Sequence, residues 1–292
     1  MKAVFLFNLL LFATSCFSQA KSTLKFNLAP LYARETFRWS VAGDENGNNP
    51  NILSELRFKD IQKTGILLEA SYQLLSHLDL TGGFKLLKAF QGNVTDIDYA
   101  ADNREQPTST LDLLSNKGQE NNYHLSINYQ FLDQPQWKLT AGVGYNITKG
   151  SYYMHTKEAI RDTWGVYTAH WQRPNVSLHV NWAITSRIGI QTQLITDYLF
   201  YTAEADWLLR TDFNHPISFT HHAYGIGING YIGGYYRILP ILILQLETHT
   251  QRWETGHGTD ILYLSNGNIA KTRMNESVKQ QNVLALKASL YF

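Results

Sequence analysis

Asp96 and Asp98 are the residues whose types and spacing come closest to a catalytic arrangement in this 292-residue sequence. They stand two residues apart in a predicted β-strand, Leu78–Asp98, so both carboxylates point to the same side of the strand. Two carboxylates that share water repel each other, which raises the pKa of one, and such pairs activate water in hydrolases. The alternative interpretation is a hydrated acidic strand end that leads into a polar loop.

Four histidines in the second half of the chain are the other candidate chemical groups: His215, His221, His222 and His249. Adjacent histidines on a strand point to opposite faces, so His221 and His222 do not form one zinc site. The sequence therefore predicts no metal and no cofactor. A net charge of +1 without a basic stripe predicts no nucleic-acid partner.

The N-terminus predicts secretion. Lys2 is followed by a short apolar run from Ala3 to Ala13 and then by small and polar residues up to Ala20, as in a signal peptide. We therefore assign residues 1–20 to a signal peptide and residues 21–292 to a single domain. Cys16 is the only cysteine, so the chain after Ala20 has no thiol and forms no disulfide.

Amphipathic stretches recur along the rest of the chain and predict an all-β protein. The last one, VLALKASLYF, alternates apolar and polar residues up to Phe292, as a strand does between lipid and a barrel lumen. We predict ten strands: Leu24–Ser40, Ile52–Gln73, Leu78–Asp98, Asn121–Phe131, Trp137–His155, His170–Ala183, Ile188–Asp206, Phe219–Ile238, Leu242–Glu254 and Gln280–Phe292.

The connections alternate between short turns and long polar loops, which is typical of an outer-membrane barrel. The predicted long loops are 43–51, 99–119, 156–169, 207–218 and 255–278. The aromatic content of 13% predicts girdles at the membrane interfaces. A polar network is expected to fill the narrow lumen, formed by Glu55, Arg57, Lys59, Glu69, Lys85, Asp197, Glu247, His249 and Lys287.

Several segments resemble the omptin family of outer-membrane aspartyl endopeptidases. They are LSELRFK at 53–59, GNVTDIDY at 92–99, the stretch 121–150 and the C-terminal strand. The second half, with TAEADWLLRTDF at 202–213 and HHAYG at 221–225, looks closest to the protochlamydial outer-membrane proteins, which are described as porin-like or barrel-forming.

The omptin resemblance implies a catalytic role for Asp96, Asp98 and Asp206. In omptins an Asp-x-His couple faces the paired aspartates, and the matching positions here are Asp206 and Leu208, so the histidine is missing. His215, His221 or His222 would have to replace it. This departure places the peptidase activity in doubt, because leucine cannot accept a proton from water.

The sequence thus predicts a transmembrane antiparallel β-barrel of about ten strands in the bacterial outer membrane, with extracellular long loops. The leading functional hypothesis is a non-catalytic barrel: a narrow porin-like conduit, or a surface-binding or structural protein. The alternatives are an omptin-type endopeptidase and a secreted soluble β-protein. Expected partners are outer-membrane lipid, with lipopolysaccharide as a candidate, and the barrel-assembly machinery through the C-terminal strand.

Overall fold

The computed structural model describes residues 24–156 and 163–292. The predicted signal peptide, residues 1–20, lies outside the described residues. Within these two ranges, no helix has the length and apolar content needed to cross a membrane.

Eleven β-strands and one short 3₁₀ helix, Asp102–Arg104, make up the described chain. The strands are β1 Leu24–Val41, β2 Ser54–Leu75, β3 Leu78–Ala101, β4 Glu105–Leu114, β5 Gly118–Asp133, β6 Trp137–His155, β7 Thr163–Ala183, β8 Ile188–Asp206, β9 Phe219–Leu239, β10 Leu242–Tyr263 and β11 Ile269–Tyr291. Each pairs with its neighbours in antiparallel fashion, and β1 pairs with both β2 and β11, which closes the sheet into a barrel. The predicted fold class is confirmed.

β4 is an addition to the ten predicted strands. It pairs with the end of β3 and meets β6 through one residue pair, Leu114 with His155, so β3 and β5 still pair directly below it. The prediction of a loop over 99–119 was wrong here. Residues 105–110 are all exposed, so this part of the strand lacks the alternation by which a sequence reveals a strand.

Other strands continue well beyond their predicted ends. β7 begins at Thr163, β10 runs to Tyr263 and β11 begins at Ile269, so residues 163–169 of the first predicted loop, 156–169, and most of the second, 255–278, are strand. These extensions form the end of the barrel that carries the long connections, here called the loop end; the opposite end, with the short connections, is the turn end. Both faces of a strand projecting beyond a lipid layer tolerate polar residues, which weakens the alternation.

Outward apolar side chains form a belt around the turn-end half. On β8, Leu194 and Tyr198 are 53% and 49% exposed, whereas Asp197 between them is buried, in agreement with its predicted place in the lumen. Leu28, Ile66, Val143, Ile226 and Leu286 continue the belt on other strands. Trp137 and Trp182 stack at its turn-end border, with ring centroids 5.2 Å apart.

A bulge in β2 reverses the predicted orientation of three charged residues. Asp60 has a positive φ of 51°, and the pairing with β3 shifts register between Lys59 and Gln62. Leu56 and Phe58 therefore face the interior, while Glu55, Arg57 and Lys59 lie on the outer face, contrary to their predicted place in the lumen. A bulge inserts an unpaired residue and so exchanges the two faces of the strand beyond it.

The hydrophobic core lies inside the loop-end half of the barrel. Its largest members are aromatic, which the predicted girdles did not anticipate: Phe37, Trp39, Phe58, Tyr152, Tyr167, Trp171, Tyr201, Phe219 and Trp253. Phe37 stacks on Tyr152 at 5.0 Å, and Trp171 lies 4.2 Å from Tyr201, centroid to centroid. The rings meet across the barrel axis, so the core spans its interior.

Candidate functional site at the loop end of the barrel

Asp96 and Asp98 lie on the inner face of β3, at the loop-end border of the aromatic core. The strand carries them there because Val94, two residues earlier on the same face, is buried in that core. Asp96 is opposite Leu56 on β2 and Leu111 on β4. The prediction that both carboxylates share one side of the strand agrees with this geometry.

The surroundings of Asp96 change its acidity. Burial between apolar neighbours and the nearby charge of Asp98 raise the pKa of Asp96 from its ordinary value to about 7. Both causes disfavour the ionised carboxylate, burial more than charge. A carboxyl group with this pKa exchanges its proton near neutral pH, which is the property required of a general acid or base.

Asp206 lies on the other side of the barrel wall. It is the last residue of β8, and its two chain neighbours, Ala205 and Trp207, are the ones that face inward and are buried. Trp207 packs against Phe219 in the core, with a centroid distance of 6.0 Å. Among the described residues, no hydrogen bond or ion pair joins Asp206 to Asp96 or Asp98.

His215 supplies the histidine that position 208 lacks. Its Nδ1 lies 2.6 Å from Oδ1 of Asp206, while Leu208 is exposed. The segment between β8 and β9 is held in place by backbone hydrogen bonds to the β10–β11 hairpin, including Asn214 N to Tyr263 O and Ser265 N to Asp212 O. This Asp–His pair is partly exposed at the rim.

His221 and His222 point to opposite faces, as predicted. His222 is on the outer face against Tyr224, whereas His221 is buried and takes part in a chain of polar contacts within the core. Its Nε2 is 3.1 Å from Asp260 Oδ1 and its Nδ1 is 2.8 Å from the Tyr167 hydroxyl, which in turn bonds to Tyr201. The contact with Tyr167 satisfies Nδ1 inside an aromatic environment, whereas Nε2 lies close to Asp260 without forming a hydrogen bond.

Arg210 is a further charged group at the rim. Its guanidinium donates to both carboxylate oxygens of Asp212 and stacks over Phe213, 4.7 Å from the ring centroid. Asp212 and, more weakly, Asp98 raise the pKa of Arg210. Arg210 therefore adds a cation to the rim, in addition to the Asp206–His215 pair.

A cluster of buried charges lies directly beneath the aromatic core. Lys63 and Lys279 bind Glu35 and Glu120, with N–O distances between 2.7 and 3.2 Å, and all four side chains are at most 3% exposed. The hydroxyl of Tyr152 donates to Glu35 at 2.6 Å and so connects this ion cluster to the core. The sequence does not reveal the cluster, because charges from four strands converge only when the barrel closes.

The turn-end half of the lumen is a polar cavity of about 380 Å³. Several members of the predicted lumen network line it, namely Glu69, Lys85, Glu247, His249 and Lys287, and amide side chains make up much of the remainder. Asp197 faces inward as well and pairs with Arg173 at the cavity's closed end. The described residues include no group of three or more His, Cys, Asp and Glu side chains placed to hold a metal ion.

Comparison with known proteins places the chain in a family. Residues 28–285 match the model of the Pom family, the Protochlamydia outer membrane proteins, which is most of the chain. No curated protein matches.

Among solved structures, the outer membrane protease OmpT from Escherichia coli is similar in fold, with a TM-score of 0.69. The two share 13% sequence identity over 93% of this chain and 96% of OmpT, a likeness that shows the fold alone. The translocator domain of the autotransporter NalP from Neisseria meningitidis matches at a TM-score of 0.41 and 8% identity, over 100% of this chain and 96% of that one. The chain belongs to the Protochlamydia outer membrane protein family and is an omptin-like β-barrel of the bacterial outer membrane.

Proposed function

We propose that this protein is a closed, non-catalytic barrel that presents its rim to the outside of the cell and does not conduct solutes. The observation that carries the proposal is the filled interior of the loop-end half. The aromatic core and the ion cluster below it span the lumen, so a solute entering from the turn end meets buried side chains. Of the two non-catalytic roles predicted from the sequence, this favours the surface-binding or structural role over the porin-like conduit.

The size of the barrel supports the same conclusion. Eight-stranded barrels are filled by side chains, and aqueous channels open at about sixteen strands. Below β4 the ring has ten strands, so its lumen is narrow enough for side chains to fill. Displacing the core to open a path would expose several aromatic rings to water, each at a cost of a few kcal/mol.

Planar-bilayer recording tests the proposal. We expect purified protein to insert without discrete conductance steps in 1 M KCl. The matched control is a multiple variant, Trp171→Gly and Trp253→Gly with Glu35→Ala, Lys63→Ala, Glu120→Ala and Lys279→Ala, which removes two rings of the core and the ion cluster and is expected to conduct. Regular steps from the wild-type protein would contradict a closed barrel.

A second candidate function is peptide hydrolysis at the rim, and two observations favour it. Asp96 holds a proton-exchanging carboxyl beside Asp98, and His215 restores an Asp–His pair with Asp206. The orientation of Asp206 argues against it, since the pair lies on the outer side of the wall. The proposed catalytic residues would be Asp96, Asp98 and Asp206, with His215 as the base.

A cleavage assay separates the two candidates. Folded protein in micelles with lipopolysaccharide would be incubated with a panel of short peptides, beside the variants Asp96→Asn, Asp98→Asn and His215→Asn. Asp112→Asn is the matched control, because this rim carboxylate bonds to Thr95 on the outer face of β3. Cleavage that disappears in the first three variants and survives in the control would establish the hydrolase and overturn the non-catalytic proposal.

We further propose lipopolysaccharide and the barrel-assembly machinery as partners. Above the apolar belt, the outer wall formed by β10, β11, β1 and β2 has a depression of about 330 Å³ lined by Arg38, Arg57, Lys59 and Arg252. Cations at this height match the phosphates of an outer-leaflet lipid. The apolar outer row of β11 supports recognition of the last strand during assembly.

A further inference from the structure

We propose that the closed end of the luminal cavity is a binding site for a small inorganic anion, held between Lys85 and Arg173. The cavity ends beneath the ion cluster, and both side chains line it. This site is separate from the rim, so its existence does not depend on the function proposed above.

The buried charges at the closed end of the cavity do not balance. Four cations meet at the closed end, Lys63, Lys85, Lys279 and Arg173, against three carboxylates, Glu35, Glu120 and Asp197. All but Lys85 are at most 5% exposed. Burying an uncompensated charge is costly, so one bound anion would complete the balance.

Lys85 and Arg173 carry the surplus charge. Glu35 and Glu120 are each shared between Lys63 and Lys279, whereas Lys85 contacts the remaining oxygen of Glu120 at 3.2 Å and donates to Gln281 Oε1 at 3.4 Å. Lys85 lies opposite Asn122 on β5, and both Asn122 and Arg173 donate to the hydroxyl of Thr148, so two like charges repel each other across this part of the lumen. An anion between them would replace that repulsion with two attractions.

Arg173 has a hydrogen-bond donor without an acceptor among the described residues. Arg173 is 4% exposed, and its two terminal nitrogens donate to Asp197 and Thr148, but its Nε has no acceptor. Buried guanidinium nitrogens normally have one. The amide of Asn146 lines the same cavity and is a further donor for an anion, whereas the amides of Asn175 and Gln251 already donate to Arg173 O and Gln281 Oε1.

The carboxylates nearer the mouth of the cavity do not supply the negative charge that would balance Lys85 and Arg173. Glu69 is occupied by Asn27 and His124, and Glu247 by Lys287 and His249. Their partners hold them against the wall. The closed end therefore attracts a mobile anion that enters from the turn end, and the small volume favours an inorganic one.

Iodide is a suitable probe, because Arg173 stacks over Trp253 at 3.9 Å from the ring and iodide quenches indole fluorescence on contact. We expect a saturable quenching component in the folded protein in micelles, in addition to the linear quenching of exposed tryptophans. Separate competition arms with phosphate and with chloride would identify which anion class displaces the iodide. Linear quenching alone would overturn the proposal.

Two lysine variants locate the site. Lys85→Met is expected to raise the half-saturating iodide concentration at least tenfold. Lys25→Met is the matched control, since Lys25 lines the same cavity near the turn end, and we expect less than a twofold change. Equal effects of the two variants would indicate general attraction by the cavity and would contradict a built site.

A measurement on the unaltered protein guards against misfolding of the Lys85 variant. Anomalous scattering from iodide-soaked crystals is expected to show a peak between Lys85 and Arg173. Iodide only on the outer surface would overturn the proposal independently of any substitution.

Discussion

The two halves of the barrel interior differ although the same strands build both. On β7 the inward row includes Ala169 and Trp171 in the core, passes Arg173, and continues with Ser177 and His179 in the polar cavity. Strand alternation decides only that these residues point inward. The size and polarity of each side chain then decide whether that level of the lumen is packed or hydrated.

The contrast follows from how each half can satisfy its side chains. Large rings from opposite walls reach the axis and exclude water, so polar groups among them need fixed partners, as His221 and Tyr167 have. Amides in the turn-end half are shorter than the barrel radius and leave room for water to complete their hydrogen bonds. The ion cluster lies where the two environments meet.

Truncating the packed half is expected to have the largest effect. Trp171→Ala would lower the free energy of unfolding by about 3–5 kcal/mol, because it removes a fully buried ring and leaves a cavity. Denaturant titration in micelles measures this. A loss below about 1 kcal/mol would mean that the core is loosely packed and the contrast between the halves is overstated.

Disturbing the ion cluster should have the next largest effect. Glu120→Gln leaves Lys63 and Lys279 with less compensation in a dry environment, and we expect a loss of about 3 kcal/mol in the free energy of unfolding. Asp133→Asn is the control, because its pair with Lys138 is exposed and is worth about 0.5 kcal/mol. Similar losses in the two variants would show that water reaches the cluster.

The acidic pair, Asp96 and Asp98, is expected to make the free energy of unfolding depend on pH, with an effect smaller than that of the ion cluster. The pKa of Asp96 is raised to about 7, whereas an unfolded aspartate titrates near ~3.9, so the folded protein binds one more proton between these values. The stabilisation is complete below about pH 4 and is lost as the pH rises through about 7, by about 2 kcal/mol after solvent screening. Asp96→Asn is expected to remove this slope in pH-dependent unfolding; an unchanged slope would assign it to another group.

The hydrated half should tolerate truncation best. Gln193→Ala, in the wall of the cavity, is expected to change the free energy of unfolding by about 0.5 kcal/mol or less, because water can occupy the vacated volume. The same titration that measures Trp171→Ala measures this variant. A loss above about 2 kcal/mol would show that the cavity wall is packed like the core.

The sequence was sufficient for the barrel and for the placement of Asp96 and Asp98 on one face. Those predictions rest on local alternation, which holds wherever one side of a strand meets lipid, as on β8. It was insufficient for Glu55, Arg57 and Lys59, because the bulge at Asp60 leaves no clear mark in the residue types. From the sequence, Trp171 and Trp253 fit a membrane girdle as well as they fit the core, because composition does not reveal which face of the strand they occupy.

The candidate site was predicted only in part for a related reason. The Asp206–His215 contact depends on the path of the segment after β8, and the ion cluster depends on which strands meet across the axis. Both are long-range properties of the closed barrel. The side of the wall on which Asp206 lies follows from simple alternation along β8.

The division of the interior is the central claim, and substituted-cysteine accessibility tests it most directly. Apart from Cys16 the chain has no cysteine, so single thiols can be placed on one inward row of β7 at Ser177→Cys and Ala169→Cys. A charged methanethiosulfonate reagent applied to the folded protein should modify the first position rapidly and the second only after denaturation. Comparable modification rates at both positions in the folded barrel would contradict a closed loop-end half.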